Sequence, residues 1–90
     1  MSKLELLNQK LDNMCNYLSR EFPNVKLKLT QLKTQSLDLL ITFIVVEVKP
    51  HRNNLSTVVD DICKIEKIKV NDEQRQKLIK YLNFFCDITD

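Results

Sequence analysis

Glycine, alanine and tryptophan are all missing from the 90 residues, and histidine occurs once. Without glycine, the phosphate-cradling loops and nucleophile elbows that need positive φ and close backbone approach cannot be built in their usual form. With one histidine, no Ser/His or Cys/His nucleophilic pair exists unless it uses His51, whose setting between Pro50 and Arg52 is that of an exposed loop residue. Few small residues beside abundant Lys, Asn, Ile and Leu is also what an A+T-rich coding region gives, as in a virus or a phage.

Cysteine is scarce and odd in number. Cys15, Cys63 and Cys86 form no disulfide framework, which suits a reducing compartment, cytoplasmic or nuclear. Together with His51 they could formally supply four zinc ligands, but none shows the paired spacing of a metal site, and they read instead as small apolar residues on helix faces. Asp60 and Asp61 are adjacent on a helix and diverge, while Asp87 and Asp90 read as solvated carboxylates at a helix end. The expectation is therefore a protein with no catalytic residues, metal or cofactor, and not an enzyme.

No charge of one sign dominates. Fourteen Lys and Arg against twelve Asp and Glu leave a net charge of +2, with the signs interspersed, so no strong global field draws polyanions. No apolar run approaches the roughly 20 residues of a spanning helix. Lys3, Glu5, Lys10 and Asp12 interrupt any apolar leader. These features read as an intracellular chain without membrane contact.

The longest apolar stretch runs over 37–48, Leu-Asp-Leu-Leu-Ile-Thr-Phe-Ile-Val-Val-Glu-Val. Its β-branched and aromatic content, and Pro50 just beyond it, read as a buried strand with both faces apolar. Residues 25–31 alternate apolar and polar through Val25, Leu27 and Leu29, as a half-buried strand does. Joined through Lys33-Thr34-Gln35-Ser36, the two make an antiparallel hairpin whose favoured register sets those three residues beside Leu39, Ile41 and Phe43.

Around the hairpin, three amphipathic patterns read as helices. Over 2–21, Leu4, Leu7, Leu11, Met14 and Leu18 recur at helical steps, with Ser2 and Glu5 placed as a capping box. Leu55, Val58, Val59 and Ile62 mark a helix over 55–68. Asn71 and Gln74 cap another over 72–87, lined by Leu78, Leu82 and Phe85. The fold expected is one small α+β domain over 1–90, ordered α-β-β-α-α.

Function enters through the strand. Its far half, Phe43, Ile44, Val45, Val46 and Val48, extends beyond what 25–31 can pair, and an unpaired apolar edge invites association. The leading expectation is a non-enzymatic protein–protein interaction or assembly module, regulatory or structural, self-associating as a homodimer with a four-stranded sheet across the two-fold axis. Phe84 and Phe85 are adjacent on a helix and diverge by about 100°, so one of them is a candidate partner contact. The alternative is a small nucleic-acid-binding regulator using a lysine-rich strand face, Lys26, Lys28 and Lys33 with Lys49 and Arg52. That stretch lacks interleaved aromatics to stack bases.

Overall fold

The computed structural model describes residues 2–29 and 37–90 and contains no strand among them. The α+β expectation is therefore wrong: the domain is helical. Helix α1 spans Lys3–Glu21, α2 Leu37–Phe43, α3 Leu55–Glu66 and α4 Asp72–Ile88. A π-helical stretch, Ile44–Val48, and a 3-10 stretch, Lys49–Asn54, carry the chain from α2 into α3. No helix among the described residues is long and apolar enough to cross a membrane.

Residues 37–48 are helical because their side chains are partnered at four-residue steps. Leu40, Ile44 and Val48 fall on one face and are 1%, 0% and 0% exposed, whereas Val45 and Val46 are 46% and 58% exposed. A pleated strand would have placed Ile44 and Val46 on the same face. The helix disadvantage of Ile and Val amounts to a few tenths of a kcal/mol each, well below the roughly 1.5–3 kcal/mol gained by burying one such side chain. Burial of the one face decides the conformation.

Pro50 does not end the segment in extended backbone. It lies in the first turn of the 3-10 stretch, where a missing N–H costs least. Just upstream the bonding slips to the wider register, with the Lys49 N–H donating to the Ile44 carbonyl. His51, at φ −107° and ψ 22°, supplies the kink that turns the chain into α3.

The alternation read over 25–31 holds in burial over 25–29, but those residues form no strand. Leu27 and Leu29 are buried and Val25 is partly buried, while Lys26 and Lys28 face solvent. Instead of a neighbouring strand, the segment finds Glu66: the Lys28 N–H donates to both carboxylate oxygens, at 3.0 and 2.9 Å. Thr30 to Ser36, including Lys33 and the expected hairpin connection, lie outside the described residues.

The core is one cluster. Leu7, Leu11, Met14 and Leu18 of α1 meet Leu78, Leu82 and Phe85 of α4, and Val58, Val59 and Ile62 of α3 close it with Leu40, Ile44 and Val48. Caps fix the helix starts. Ser2 Oγ accepts from the Glu5 N–H at 3.2 Å, and Asn71 with Gln74 forms a reciprocal box at 2.8 and 2.9 Å. Arg75 joins the first turns of α3 and α4 by pairing with Asp60 at 2.7 Å and donating to Ser56 Oγ at 2.9 Å.

The lack of glycine leaves its mark at the end of α3. Lys67 adopts the left-handed conformation, φ 58° and ψ 45°, while the Ile68 N–H reaches back to the Cys63 carbonyl at 3.0 Å. This is a Schellman-type end, usually given to glycine because a Cβ is strained there by roughly 1–2 kcal/mol. Replacing Lys67→Gly is expected to raise unfolding stability by about 1 kcal/mol, net of the added freedom of the unfolded chain. Urea denaturation measures it, and an unchanged or lower midpoint would show that the strain is absent.

Candidate functional site

Helices α1 and α4 run antiparallel, because Lys10 meets Phe84 while Tyr17, two turns later on α1, meets Tyr81 and Lys77. Their buried stripes hold the core, and the residues beside those stripes wall an open groove of about 880 Å³. From α1 come Lys10, Asn13, Asn16, Ser19 and Arg20; from α4 come Lys77, Lys80, Tyr81 and Phe84. The spacing of Lys10, Asn13 and Arg20, and of Lys77, Lys80, Tyr81 and Phe84, places each set along one side of its helix.

Four cations, two aromatic rings, two amides and a hydroxyl make up this lining, with no carboxylate among them. The Lys10 ammonium sits over the Phe84 ring, 4.6 Å from its centroid, so the ring turns its π face toward the groove. The Lys77 ammonium lies 5.9 and 5.8 Å from the Tyr17 and Tyr81 centroids, and the two tyrosine rings are 6.4 Å apart. Acids stand near the Tyr17 end of the groove. Glu21 and Glu73 line the adjoining depression beside Tyr17, where burial first, and then the Glu21 carboxylate, pushes the phenol above its ordinary pKa. Tyr17 therefore remains a protonated donor.

The residues singled out from sequence are scattered. Ile44 and Val48, expected at a self-association edge, are core residues. Phe43 is partly buried against that core, leaving Val45 and Val46 as the exposed members of the set. With no strand among the described residues, the four-stranded sheet across a dimer has no edge to form on. Phe85 is buried, whereas Phe84 stands on the groove wall.

Of the expected basic residues, Lys33 lies outside the described residues and the other four divide between two settings. Lys26 and Lys28 are exposed on the segment after α1, far in sequence from Lys49 and Arg52, which grip the end of α4. Lys49 Nζ is 2.8 Å from Asp90 Oδ1 and donates to the Thr89 carbonyl at 3.0 Å. Arg52 pairs with Asp90 at 2.7 Å and with Asp87. These hydrogen bonds, from Lys49 and then Arg52, hold the Asp90 carboxyl down at about 2. The cations are occupied in closing the fold.

Cys15 and Cys86 are buried and Cys63 partly so, and none of the three is joined in a disulfide. Burial pushes the Cys63 and Cys86 thiols above their ordinary pKa, which disfavours the nucleophilic thiolate. Among the described residues no three His, Cys, Asp or Glu side chains converge as metal ligands. His51 is exposed on the 3-10 stretch.

What fold and site define together is a small helical domain with a basic, aromatic-lined groove between its first and last helices. Comparison with protein-family models, with curated proteins and with solved structures finds no match.

Proposed function

We propose that this domain is a non-enzymatic nucleic-acid-binding module whose contact surface is the groove between α1 and α4. The observation that carries the reading is the lining itself: Lys10, Arg20, Lys77 and Lys80 with Tyr81 and Phe84, and no carboxylate. Clustered cations release counterions from a phosphate backbone on contact, and amides and hydroxyls such as Asn13, Asn16 and Ser19 add backbone or base hydrogen bonds. The net charge of +2 understates this surface, because several basic residues elsewhere are neutralised by acids.

The test is a fluorescence-anisotropy titration of a labelled oligonucleotide at two salt concentrations. Wild-type affinity is expected to fall steeply with salt. Lys77→Gln with Lys80→Gln should weaken binding about tenfold and reduce the salt slope by roughly 0.7 for each phosphate of a single strand that is no longer neutralised. Lys26→Gln with Lys28→Gln should leave both unchanged. Absence of binding at low salt, or equal weakening by the Lys26 and Lys28 pair, overturns the reading.

A second reading, self-association, is supported by a different observation. Val45 and Val46 are half-exposed, and Leu4, Ile41 and Ile88 join Val45 around a shallow apolar depression. This would be a helical face meeting a second copy. It ranks behind the groove because the domain's own helices already cover Ile44 and Val48, so the central segment no longer needs a partner to bury it.

A further inference from the structure

The way in which the groove displays its rings points beyond general polyanion binding. We infer that the groove takes a single strand rather than a duplex, with one base stacked on Phe84 in the place now held by the Lys10 ammonium. This inference rests on the reading of the groove as a nucleic-acid surface. A base within a duplex already has both faces stacked on its neighbours and cannot use an aromatic side chain without being unpaired, whereas a single strand presents free faces.

Two observations on opposite walls converge on the stacking position. Phe84 is adjacent to the fully committed core ring of Phe85, which is 2% exposed, so the helix holds Phe84 at a fixed place on the wall. The Lys10 ammonium, 4.6 Å from the Phe84 centroid, lies over the face of that ring. A flat π face whose occupant is a lysine ammonium is a place where a base and the cation can exchange. When a base enters, the ammonium moves off the ring to the phosphate of the same nucleotide, so one contact is traded for two.

The groove continues the pattern one turn away. Tyr81 offers a second ring with Lys77 beside it, 5.8 Å from its centroid, and Lys80 and Arg20 stand along the same walls. From Lys10 to Arg20 the α1 wall is about 15 Å long, at 1.5 Å per residue. That length accommodates a few nucleotides of one strand. An anionic polymer without rings or apolar groups would satisfy the cations and leave the rings unused.

Anisotropy titrations settle the inference with four probes: a single-stranded RNA, the same sequence as single-stranded DNA, its DNA duplex, and polyglutamate as an anionic polymer without bases. One of the single strands is expected to bind at least tenfold more tightly than the duplex, with the RNA and DNA arms showing which sugar is preferred. Phe84→Leu, which keeps the apolar bulk, should lose about five- to a hundredfold in affinity for that strand while leaving the salt slope unchanged. Phe84→Tyr should restore binding, and it controls for any loss of packing. Equal affinity for strand and duplex, or no effect of Phe84→Leu, overturns stacking while binding that depends on Lys77 and Lys80 still stands. Failure of every nucleic acid to bind at low salt, or displacement by polyglutamate as effective as by the single strand, overturns the underlying reading as well.

Discussion

Ile44→Lys is expected to unfold the domain, whereas Val46→Lys should change its stability by no more than about 0.5 kcal/mol. Ile44 is 0% exposed and Val46 58% exposed, two residues apart. In a strand they would share a face and the substitutions would act alike; in the helical turn they occupy, they fall on opposite sides. A lysine at position 44 forfeits roughly 1.5–3 kcal/mol of apolar burial and leaves an ammonium facing a core of Leu, Ile and Val, at a further several kcal/mol. Against a total stability of roughly 5–13 kcal/mol for a chain of this length, the domain is lost or held by a small margin. Circular dichroism with urea denaturation of both variants measures the contrast. Equal destabilisation would contradict the helical placement of 37–48. The Val46→Lys protein also decides the self-association reading, since a dimer formed on that face would fall to monomer mass while remaining folded.

Removal of the Glu66 side chain should have the next largest effect. Glu66 is 5% exposed, at the last turn of α3. Its carboxylate accepts the Lys28 N–H through both oxygens and receives a second backbone bond from Leu29. Glu66→Ala would leave these part-buried donors without their acceptor, and a buried donor left unsatisfied costs about 1–3 kcal/mol. A loss of roughly 2–4 kcal/mol is expected, whereas Glu66→Gln keeps an acceptor and should lose less.

Wild type and Glu66→Gln also separate by pH. Burial raises the Glu66 pKa above its ordinary 4.5, more than the Lys28 bond lowers it. A raised folded pKa contributes stability that is present below pH 4.5 and lost as pH rises through the folded value. Wild type should thus lose stability relative to Glu66→Gln on going up through that window. Asp90 acts in the opposite sense, since its pKa is lowered from 3.8 to about 2: its contribution holds above pH 3.8 and disappears as pH falls through 2. That carboxylate is exposed, and salt should weaken its effect. Urea midpoints for wild type and Glu66→Gln, measured from below the ordinary carboxylate pKa up to neutrality, test the Glu66 contribution, and parallel profiles would contradict it.

Much of the fold is legible in residues that speak locally. Ser2, Asn71 and Gln74 mark helix starts because capping needs nothing distant, and the stripes of α1, α3 and α4 need only a helical period. The segment 37–48 is not local in this sense. It contains the alternation Leu39, Ile41, Phe43, Val45 and, equally, the four-residue series Leu40, Ile44, Val48, and only the surfaces packed against it select between them. The series Val25, Leu27, Leu29 misleads for a related reason: alternating burial says that side chains point inward and outward in turn, and says nothing about whether a strand or the Glu66 carboxylate takes the N–H groups.

The groove is less visible than the fold. Lys10 and Arg20 read as an ordinary solvated helix face, and Lys77 and Lys80 draw no attention on their own. Each helix alone shows a mixed polar side; it is antiparallel pairing that brings Lys10 to Phe84 and Lys77 to Tyr17. The one local hint is the Phe84-Phe85 pair, because two adjacent rings cannot both enter one core. Phe85 takes the core and Phe84 the groove.

The most direct test is an NMR titration of isotope-labelled protein, amides assigned, with a short single-stranded oligonucleotide at low salt. Shifts are expected to concentrate at the groove residues of α1, around Lys10 to Arg20, and of α4, around Lys77 to Phe84, with none at Lys26, Lys28, Lys49 or Arg52. Shifts centred on those four residues, or an unperturbed spectrum at saturating oligonucleotide, would contradict a nucleic-acid surface between α1 and α4.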